Sequence, residues 1–337
     1  MRAILLLAAI GFVSAAQAAP LPDATYMHAG QLVPVDGARQ INLVCLGHGS
    51  PTVLFDSGLA TGMRTWRLVQ GEIAKVTRAC AYDRAGLGLS DPRSGESDTR
   101  AIVADIHALL AAAKIKTPIL FVGHSMAGLA ALLLQAKYPD DLAGAVLVDP
   151  SFANQSFAMT AAAVAAGAPA QIGDALLASF RAQARRSHEC TTLPTPLPDD
   201  CLNVPKDLSP ALTAALKAQQ SRPGSLLATA SETESFLPPG ADEKSADQVE
   251  LEAVIANFGD KPLVVLTSSK PIAGPGLKPE WSAAVDQAWK AGHDRIAALS
   301  TRGSNTVVPD SGHNIQHDQP QAVIDAVKKA IAELRAR

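Results

Sequence analysis

The sequence predicts an α/β protein in which a mostly parallel sheet is interrupted by a helical insertion. Short apolar runs, typical of buried parallel strands, alternate with amphipathic helical patterns up to residue 150. Residues 151–260 are rich in Ala and show helical patterns without a strand signal, and the apolar strand runs resume beyond them. We therefore expect a core formed by residues 19–150 and 261–337, with residues 151–260 inserted into it.

The predicted strands, in chain order, are residues 40–46, 53–55, 79–82, 119–122, 145–148, 262–266 and 305–308. Each is a short run rich in apolar residues, and several end at turn-forming residues such as Gly58 or Pro150. Strands and helices in this alternation are joined by right-handed crossovers, which place the strands side by side in parallel.

The predicted helices begin at capping residues and carry apolar residues at helical spacing. One opens at Asp98 or Thr99, a second covers residues 126–137, and the last begins near Pro320. Within the insertion, Ser245 and Gln248 predict a capping box. The helix that opens at Asp98 or Thr99 has an apolar face formed by Ile102, Val103, Ile106, Leu109 and Leu110. The helix after Ser245 has one formed by Leu251, Val254, Ile255 and Phe258. The last helix has one formed by Val323, Ile324, Val327 and Ile331.

The composition excludes two classes of protein. The chain has 337 residues, of which 47% are hydrophobic and 18% charged, with a formal net charge of −3. A chain this apolar, with so little net charge, does not remain disordered. It also lacks the basic excess that binding nucleic-acid phosphates requires. We expect a small-molecule substrate as partner, no nucleic acid, and an oligomeric state that composition leaves open.

The first 18 residues have the pattern of a secretory signal peptide. Arg2 supplies a positive charge, residues 4–13 form an uncharged run of ten, and Ala16 and Ala18 are small residues at a cleavage position. A membrane-spanning helix needs about 20 apolar residues, so this run is too short to be an anchor. No other segment is long and apolar enough to span a membrane. We expect cleavage near Ala18 and a periplasmic or secreted protein.

Export changes how the four cysteines are interpreted, because disulfides persist in oxidising compartments. Cys45 and Cys80 lie in predicted strands, and Cys190 and Cys201 flank a Pro-rich loop. Pairing Cys45 with Cys80 and Cys190 with Cys201 is the simplest of the three connectivities, and free buried thiols are the alternative. No two cysteines have the short spacing of a zinc site, so we expect no metal.

The segment from Gly123 to Gly128 is typical of a nucleophile elbow. It lies between a buried strand and a helix, and its small residues Gly123, Ala127 and Gly128 let the strand and the helix pass closely beside Ser125. Such a turn lifts the hydroxyl to the edge of the sheet, where the helix N-terminus favours developing negative charge. Ala127 replaces the last Gly of the Gly-x-Ser-x-Gly pattern, and a plain strand–helix turn is the alternative interpretation.

A serine nucleophile needs a base, and His313 follows the last strand and precedes the last helix. Ser before His is also the chain order of hydrolases with this elbow. His317 lies four residues further on, but Pro320 places the helix start later, so a metal shared by both histidines is disfavoured. His48, His107 and His124 are interpreted as structural.

Four motifs together resemble the α/β-hydrolase superfamily over nearly all of the mature sequence: residues 56–59 (Asp-Ser-Gly-Leu), residues 82–90, which follow the pattern Y-D-R-x-G-x-G-x-S, the elbow, and residues 311–313. The resemblance implies a mostly parallel eight-stranded sheet with a helical cap between strands six and seven. It implies Ser125 as nucleophile, His313 as general base, and the backbone N–H groups of Leu59 and Met126 as the oxyanion hole. It also makes the second and fourth strands neighbours, which supports the Cys45–Cys80 pairing.

In the family, a third catalytic residue, an acid, orients the histidine, and its position in this sequence departs from the family pattern. It usually follows the seventh strand, but residues 267–270 contain no carboxylate. Some members place the acid after the sixth strand, where Asp149 stands here. Asp149 is therefore the predicted acid, with Asp294, Asp286 and Asp310 as alternatives. Asp83 and Arg84 are interpreted as bracing the neighbouring loop rather than reacting.

The predicted function is hydrolysis of a carboxylic ester through an acyl-enzyme, with a hydrophobic substrate and no cofactor. Residues 86–91 lack the third Gly of a dinucleotide loop, and a haloalkane dehalogenase would need a carboxylate at Ser125. A lactonase, a proline-type aminopeptidase, a C–C bond hydrolase and a non-catalytic ligand-binding protein are the alternatives. The expected apolar pocket wall in the cap, for which plain packing against the core is the alternative, is Leu176, Leu177, Phe180, Leu226, Leu227 and Phe236.

Overall fold

A computed structural model of the chain describes residues 18–37, 39–206, 208–240, 243–273 and 276–336. Residues 1–17 of the predicted signal peptide lie outside the described residues. Across the described ranges, no helix combines the length and apolar character needed to cross a membrane.

The described residues contain one eight-stranded sheet in the order β1-β2-β4-β3-β5-β6-β7-β8. β1 pairs with β2, and β2 with β4, in antiparallel fashion, and all other neighbours are parallel. The expected mostly parallel eight-stranded sheet is confirmed. The strands are β1 (Gln31–Asp36), β2 (Arg39–Leu46), β3 (Val53–Asp56), β4 (Ala79–Tyr82), β5 (Ile119–His124), β6 (Leu142–Val148), β7 (Leu263–Ser268) and β8 (Gly303–Val308).

The α-helices are α1 (Ala24–Met27), α2 (Gln70–Ala74), α3 (Thr99–Ala112), α4 (Ala127–Lys137), α5 (Gln155–Ala165), α6 (Ile172–Cys190), α7 (Pro210–Gln220), α8 (Pro223–Phe236), α9 (Ala246–Glu252), α10 (Pro279–Ala297), α11 (Ile315–Asp318) and α12 (Pro320–Arg335). Short 3-10 helices cover Met63–Trp66, Pro139–Asp141 and Asp199–Cys201. Asp98 caps α3 by accepting the N–H of Ala101, and Pro320 opens α12, as the sequence predicts.

Successive residues of each strand face opposite layers of helices. On one face, Leu54 packs in a cluster with Ile106 of α3 and Leu133 of α4. On the other face, Val53 belongs to a cluster with Val327 of α12. Both faces of the sheet are therefore covered, which is why its central strands are apolar throughout. Because β3 and β5 to β8 are parallel, the loops after them meet at one edge of the sheet.

The described residues between β6 and β7 form α5 to α9 and their connections, without a strand. The predicted extent of α9 is wrong. Ser245 accepts the N–H of Gln248 as expected, but the Gln248 side chain donates to Glu252 and does not return to Ser245, so only half of the capping box forms. The helix then ends at Glu252.

Beyond that end the chain leaves the predicted helical face. The N–H of Phe258 donates to the carbonyl of Leu299, which replaces a helical hydrogen bond with one to a neighbouring segment. Phe258 is still buried, but Ile255 is 88% exposed. Val254, Ile255 and Phe258 therefore do not line one helix face with Leu251.

Disulfides join Cys45 to Cys80 and Cys190 to Cys201, in the pairing that the sequence favours. Cys45 and Cys80 face each other directly across the β2–β4 pair. The second bond connects the end of α6 to the 3-10 helix Asp199–Cys201.

Candidate active site

Ser125 occupies the sharp turn between β5 and α4. Its φ is +54°, a left-handed conformation that a non-glycine residue adopts only when its surroundings hold it there. Its N–H donates to the carbonyl of Val148, and its own carbonyl accepts from the N–H groups of Gly128 and Ser151. A Cβ at Gly128 would come within 2.6 Å of Pro150, so this position requires glycine. The turn is thus bound to the end of β6 on both sides of the serine.

A chain of hydrogen bonds leads from this serine to a buried carboxylate. Nε2 of His313 lies 2.9 Å from Oγ of Ser125, and Nδ1 of His313 lies 2.7 Å from Oδ2 of Asp149. Since a carboxylate only accepts, Nδ1 carries the proton, and Nε2 is free to accept from the serine hydroxyl. His313 sits in the loop between β8 and α11, and Asp149 directly follows β6. The structure therefore brings the three predicted residues together.

The carboxylate of Asp149 is fully buried and held by four donors. Oδ1 accepts from the N–H of Ser268 at 2.8 Å and from Nε1 of Trp289 at 3.2 Å. Oδ2 accepts from Oγ of Ser268 at 3.1 Å as well as from His313. Burial by itself would raise the pKa of this carboxyl, but the hydrogen bond and charge of His313 outweigh burial and lower it. Asp149 is thus kept as a carboxylate.

The alternative acids lie elsewhere. Asp294 accepts from Lys290 and Asn305, and Asp286 accepts the N–H of Ile272. Asp310 stands in the turn after β8 with φ +58°. None of the three makes a hydrogen bond to His313 in the part of the chain that is described.

The loop after β3 lies against the elbow. A Cβ added at Gly58 would come within 2.8 Å of Nδ1 of His124 and 3.3 Å of Cβ of Ser125. The next residue is Leu59, and Met126 follows the serine. Neither backbone N–H group of these two residues donates to another residue within the described ranges. Both are thus available to a ligand, as the family resemblance implies.

Arg84 and Asp83 brace this loop, as the sequence indicates. The guanidinium of Arg84 donates to the carbonyls of Ser57 and Gly58 at 2.6 Å each and to Asp56 at 3.0 Å. Its remaining donors bind Glu232 of α8. The carboxylate of Asp83 accepts from the side chain of Asn42 and from the N–H groups of Met63 and Leu89.

The other histidines near the site are held in neutral form. Nε2 of His124 donates to the carbonyl of His313, and burial lowers the pKa of His124 to about 3. Nε2 of His317, on α11, donates to the carbonyl of Thr65, and burial likewise lowers its pKa. His313 and His317 thus have separate partners. Within the described ranges, no cluster of three His, Cys, Asp or Glu side chains could hold a metal ion.

A cavity of about 1070 Å³ opens above Ser125 and His313. Its walls come from the core loops and from the inserted helices. Of the predicted apolar wall, Leu176, Leu177, Phe180, Leu226 and Phe236 line the cavity. Leu227 does not line the cavity, and it is 48% exposed. Met159, Ile272 and Trp289 add further apolar surface.

The sequence does not predict three residues of the site. Ser268 stands where the family usually has its acid, and the sequence shows only that a carboxylate is missing there. Trp289 lies on α10, which was not predicted, although Val285, Trp289 and Ile296 recur at helical spacing. Glu232 bonds to Ala60, which lies 172 residues earlier, and no local pattern signals such a contact.

The comparisons with known proteins agree with this fold. The sequence profile of the alpha/beta hydrolase family matches residues 43–326, and the chain belongs to this family. It is 24% identical over 277 residues to the uncharacterized protein YqjL of Bacillus subtilis (strain 168), covering 82% of each chain.

The solved structures that are similar to it include an esterase and an epoxide hydrolase. A thermophilic esterase from Thermogutta terrifontis has 17% identity and a TM-score of 0.52, with 91% of this chain and 99% of the esterase covered. The epoxide hydrolase CorEH has 20% identity and a TM-score of 0.56, with 90% and 98% covered. At these identities the likeness shows the fold alone.

Proposed function

We propose that this protein is an exported serine hydrolase that cleaves carboxylic esters through an acyl-enzyme intermediate. The observation that carries the proposal is the hydrogen-bonded series from Ser125 through His313 to the carboxylate of Asp149. In this mechanism His313 takes the hydroxyl proton as Ser125 attacks the ester carbonyl, and Asp149 stabilises the imidazolium that results. The proton then passes from His313 to the leaving alcohol.

The oxyanion formed in this attack would be stabilised by the N–H groups of Leu59 and Met126. Both are free of protein acceptors within the described ranges, and Met126 lies at the N-terminus of α4, where the helix dipole favours negative charge. Water then attacks the acyl-enzyme with His313 as base. Hydrolysis of the acyl-enzyme returns Ser125 and His313 to their starting protonation states.

The proposed substrate is a hydrophobic small molecule. A cavity of about 1070 Å³ is large enough for a ligand of drug size, and apolar side chains line it together with the serine. Hydrolysis of p-nitrophenyl butyrate by the wild type and by Ser125→Ala tests the reaction. We expect Ser125→Ala to lose nearly all activity, whereas Ser282→Ala, a control on α10, keeps it. Equal rates for wild type and Ser125→Ala would refute the proposed nucleophile.

A substrate panel separates the related activities. It contains esters of increasing acyl length, a lactone, a prolyl anilide and, because an epoxide hydrolase shares the fold, an epoxide. We expect esters to be the fastest substrates. A faster turnover of any other class would move the assignment to that class.

Export is supported by the two disulfides, because such bonds persist in oxidising compartments. When the full chain is produced in a bacterial host, we expect the extracytoplasmic protein to begin at Ala19. Intact mass measurement of that fraction tests this, and a protein that retains Met1 in the cytoplasm would contradict it.

A further inference from the structure

A buried ion pair connects the inserted helix α8 to the loop that follows β3. The carboxylate of Glu232 accepts from Arg84 at 2.7 Å through Oε1 and at 3.0 Å through Oε2. Oε2 also accepts the N–H of Ala60 at 2.8 Å. The side chains of Glu232 and Arg84 are 0% and 3% exposed. A pair this deeply buried gains little net stability from its charges, because desolvation opposes their attraction.

The contacts of this pair determine the direction of one backbone N–H group. In a trans peptide unit the C=O and N–H groups point in opposite directions. Arg84 holds the carbonyl of Gly58 at 2.6 Å, and that carbonyl shares a peptide unit with the N–H of Leu59. The guanidinium on one side of this unit therefore directs the Leu59 N–H to the other side.

The following peptide unit is fixed as well. Glu232 holds the N–H of Ala60, which shares its unit with the carbonyl of Leu59. Ala60 itself has φ +53°, so the loop needs outside contacts to keep this left-handed conformation. Leu59 is thus flanked by two peptide units, one held by Arg84 and the other by Glu232.

We propose that Glu232 is a positioning residue that, together with Arg84, aims the Leu59 N–H at the oxyanion of the reaction. This inference rests on the proposed function, in which that N–H stabilises the tetrahedral intermediate. The proposal makes the geometry of the oxyanion hole depend on α8. This helix belongs to the insertion and contains none of Ser125, His313 and Asp149. Displacement of α8 would turn the N–H away and slow the reaction.

The same helix offers a matched control. Arg222, at the N-terminus of α8, donates to the carbonyls of Gly86, Gly88 and Ser90. It therefore also ties α8 to the core, but its hydrogen bonds to the core go to residues 86–90 and not to residues 57–60. A role limited to anchoring the helix would make Glu232 and Arg222 equivalent.

The experiment compares Glu232→Gln, Arg84→Lys and Arg222→Gln with the wild type. For each protein, kcat and KM are measured with p-nitrophenyl butyrate. Inhibition constants are measured for an alkyl trifluoromethyl ketone, which forms an oxyanion on the serine, and for the secondary alcohol obtained by reducing it, which does not. Circular dichroism at the assay temperature establishes that each variant is folded, and Glu232→Asp replaces Glu232→Gln if the latter does not fold.

We expect Glu232→Gln and Arg84→Lys to lower kcat by about 10- to 100-fold with KM changed less than about threefold. The ketone should bind more weakly by the same factor as kcat/KM falls, whereas the alcohol should bind as before. Arg222→Gln should leave all four constants within about twofold of the wild type.

Besides an Arg222→Gln variant that loses as much kcat as Glu232→Gln, two results overturn the proposal. The first is a folded Glu232 variant that retains wild-type kcat and wild-type ketone affinity. The second is an equal loss of affinity for ketone and alcohol, which would indicate a collapsed cavity. Failure of the proposed function is distinguishable from both, because hydrolysis by the wild type would then not depend on Ser125.

Discussion

Ser268 donates both its backbone N–H and its hydroxyl to the carboxylate of Asp149, across the ends of the neighbouring strands β6 and β7. The residue at the end of β7, where the family usually has its acid, is here a hydrogen-bond donor to the proposed acid. The carboxylate therefore follows β6, and the residue that donates hydrogen bonds to it lies at the end of β7. This relationship explains how a site without a carboxylate after β7 can still hold a charged partner for His313.

The first prediction concerns the acid. Asp149→Asn should lower kcat by about 10³- to 10⁴-fold with little change in KM, because an amide cannot stabilise the imidazolium or hold its tautomer. Steady-state kinetics with p-nitrophenyl butyrate measures this. Asp294→Asn, whose carboxylate pairs with Lys290 at the surface, is the matched control and should retain wild-type activity. A normal rate for Asp149→Asn would disprove the assignment.

The second prediction is that the acid can be moved. In Asp149→Ala the carboxylate is lost, and adding Ser268→Asp places one at the end of the adjacent strand β7, at the residue whose side chain contacts Asp149. We expect the double variant to be at least about tenfold faster than Asp149→Ala alone, since general-base catalysis needs an oriented imidazole more than a particular strand. The comparison of the two rates checks this. No gain from Ser268→Asp would mean that position 268 cannot reach His313.

The third prediction concerns close packing at the oxyanion loop. Gly58→Ala places a methyl group 2.8 Å from Nδ1 of His124, so the loop must move away from the elbow. We expect a loss of about 10²- to 10³-fold in kcat, as for removal of one oxyanion donor. Gly71→Ala, in α2, meets only the flexible end of Leu21 at 3.1 Å and should leave kcat unchanged. Equal activities of the two variants would place the oxyanion donor elsewhere.

The fourth prediction concerns pH and stability. His293 is fully buried, and burial lowers its pKa from 6.5 to about 4. Between pH 6.5 and 4 the unfolded chain therefore binds more protons at this residue than the folded one, so its contribution to stability is present above pH 6.5 and is lost as pH falls. His293→Gln lacks this dependence. Its stability deficit relative to the wild type should shrink by about 1.4 kcal/mol per pH unit in this window.

Urea denaturation at several pH values measures that difference. A stability difference between His293→Gln and the wild type that is constant with pH would show that His293 is protonated in the folded protein.

The sequence predicts the central strands of the sheet and the three residues Ser125, His313 and Asp149. β5 and β6 are apolar on both faces, so they are recognisable without knowing what covers them. The sequence gives no clear signal for β1, because it is an edge strand that contains Pro34 and exposes Leu32. The family resemblance and the position of Asp149 after a buried strand together predict it as the acid.

The sequence does not predict the contacts that hold Asp149 and the loop after β3 in place. Glu232, Ser268 and Trp289 act across large separations in the chain, and each looks like an ordinary helix or strand residue in its own neighbourhood. The end of α9 shows the same limit. Its apolar spacing continues past Glu252, but a hydrogen bond from Phe258 to the Leu299 carbonyl draws the chain out of the helix.

The positive φ angles of Ser125 and Asp149, +54° and +45°, also bear on how far the protein can be stabilised. Each left-handed non-glycine residue lowers the stability of the fold by about 1–3 kcal/mol, and here two of the proposed reacting groups carry that strain. Stability and reactivity are thus opposed at the same residues. Ser125→Gly would relieve the backbone strain at this turn while removing the nucleophile. A higher melting temperature for this inactive variant would measure the stability that the wild type loses by holding Ser125 in the left-handed conformation.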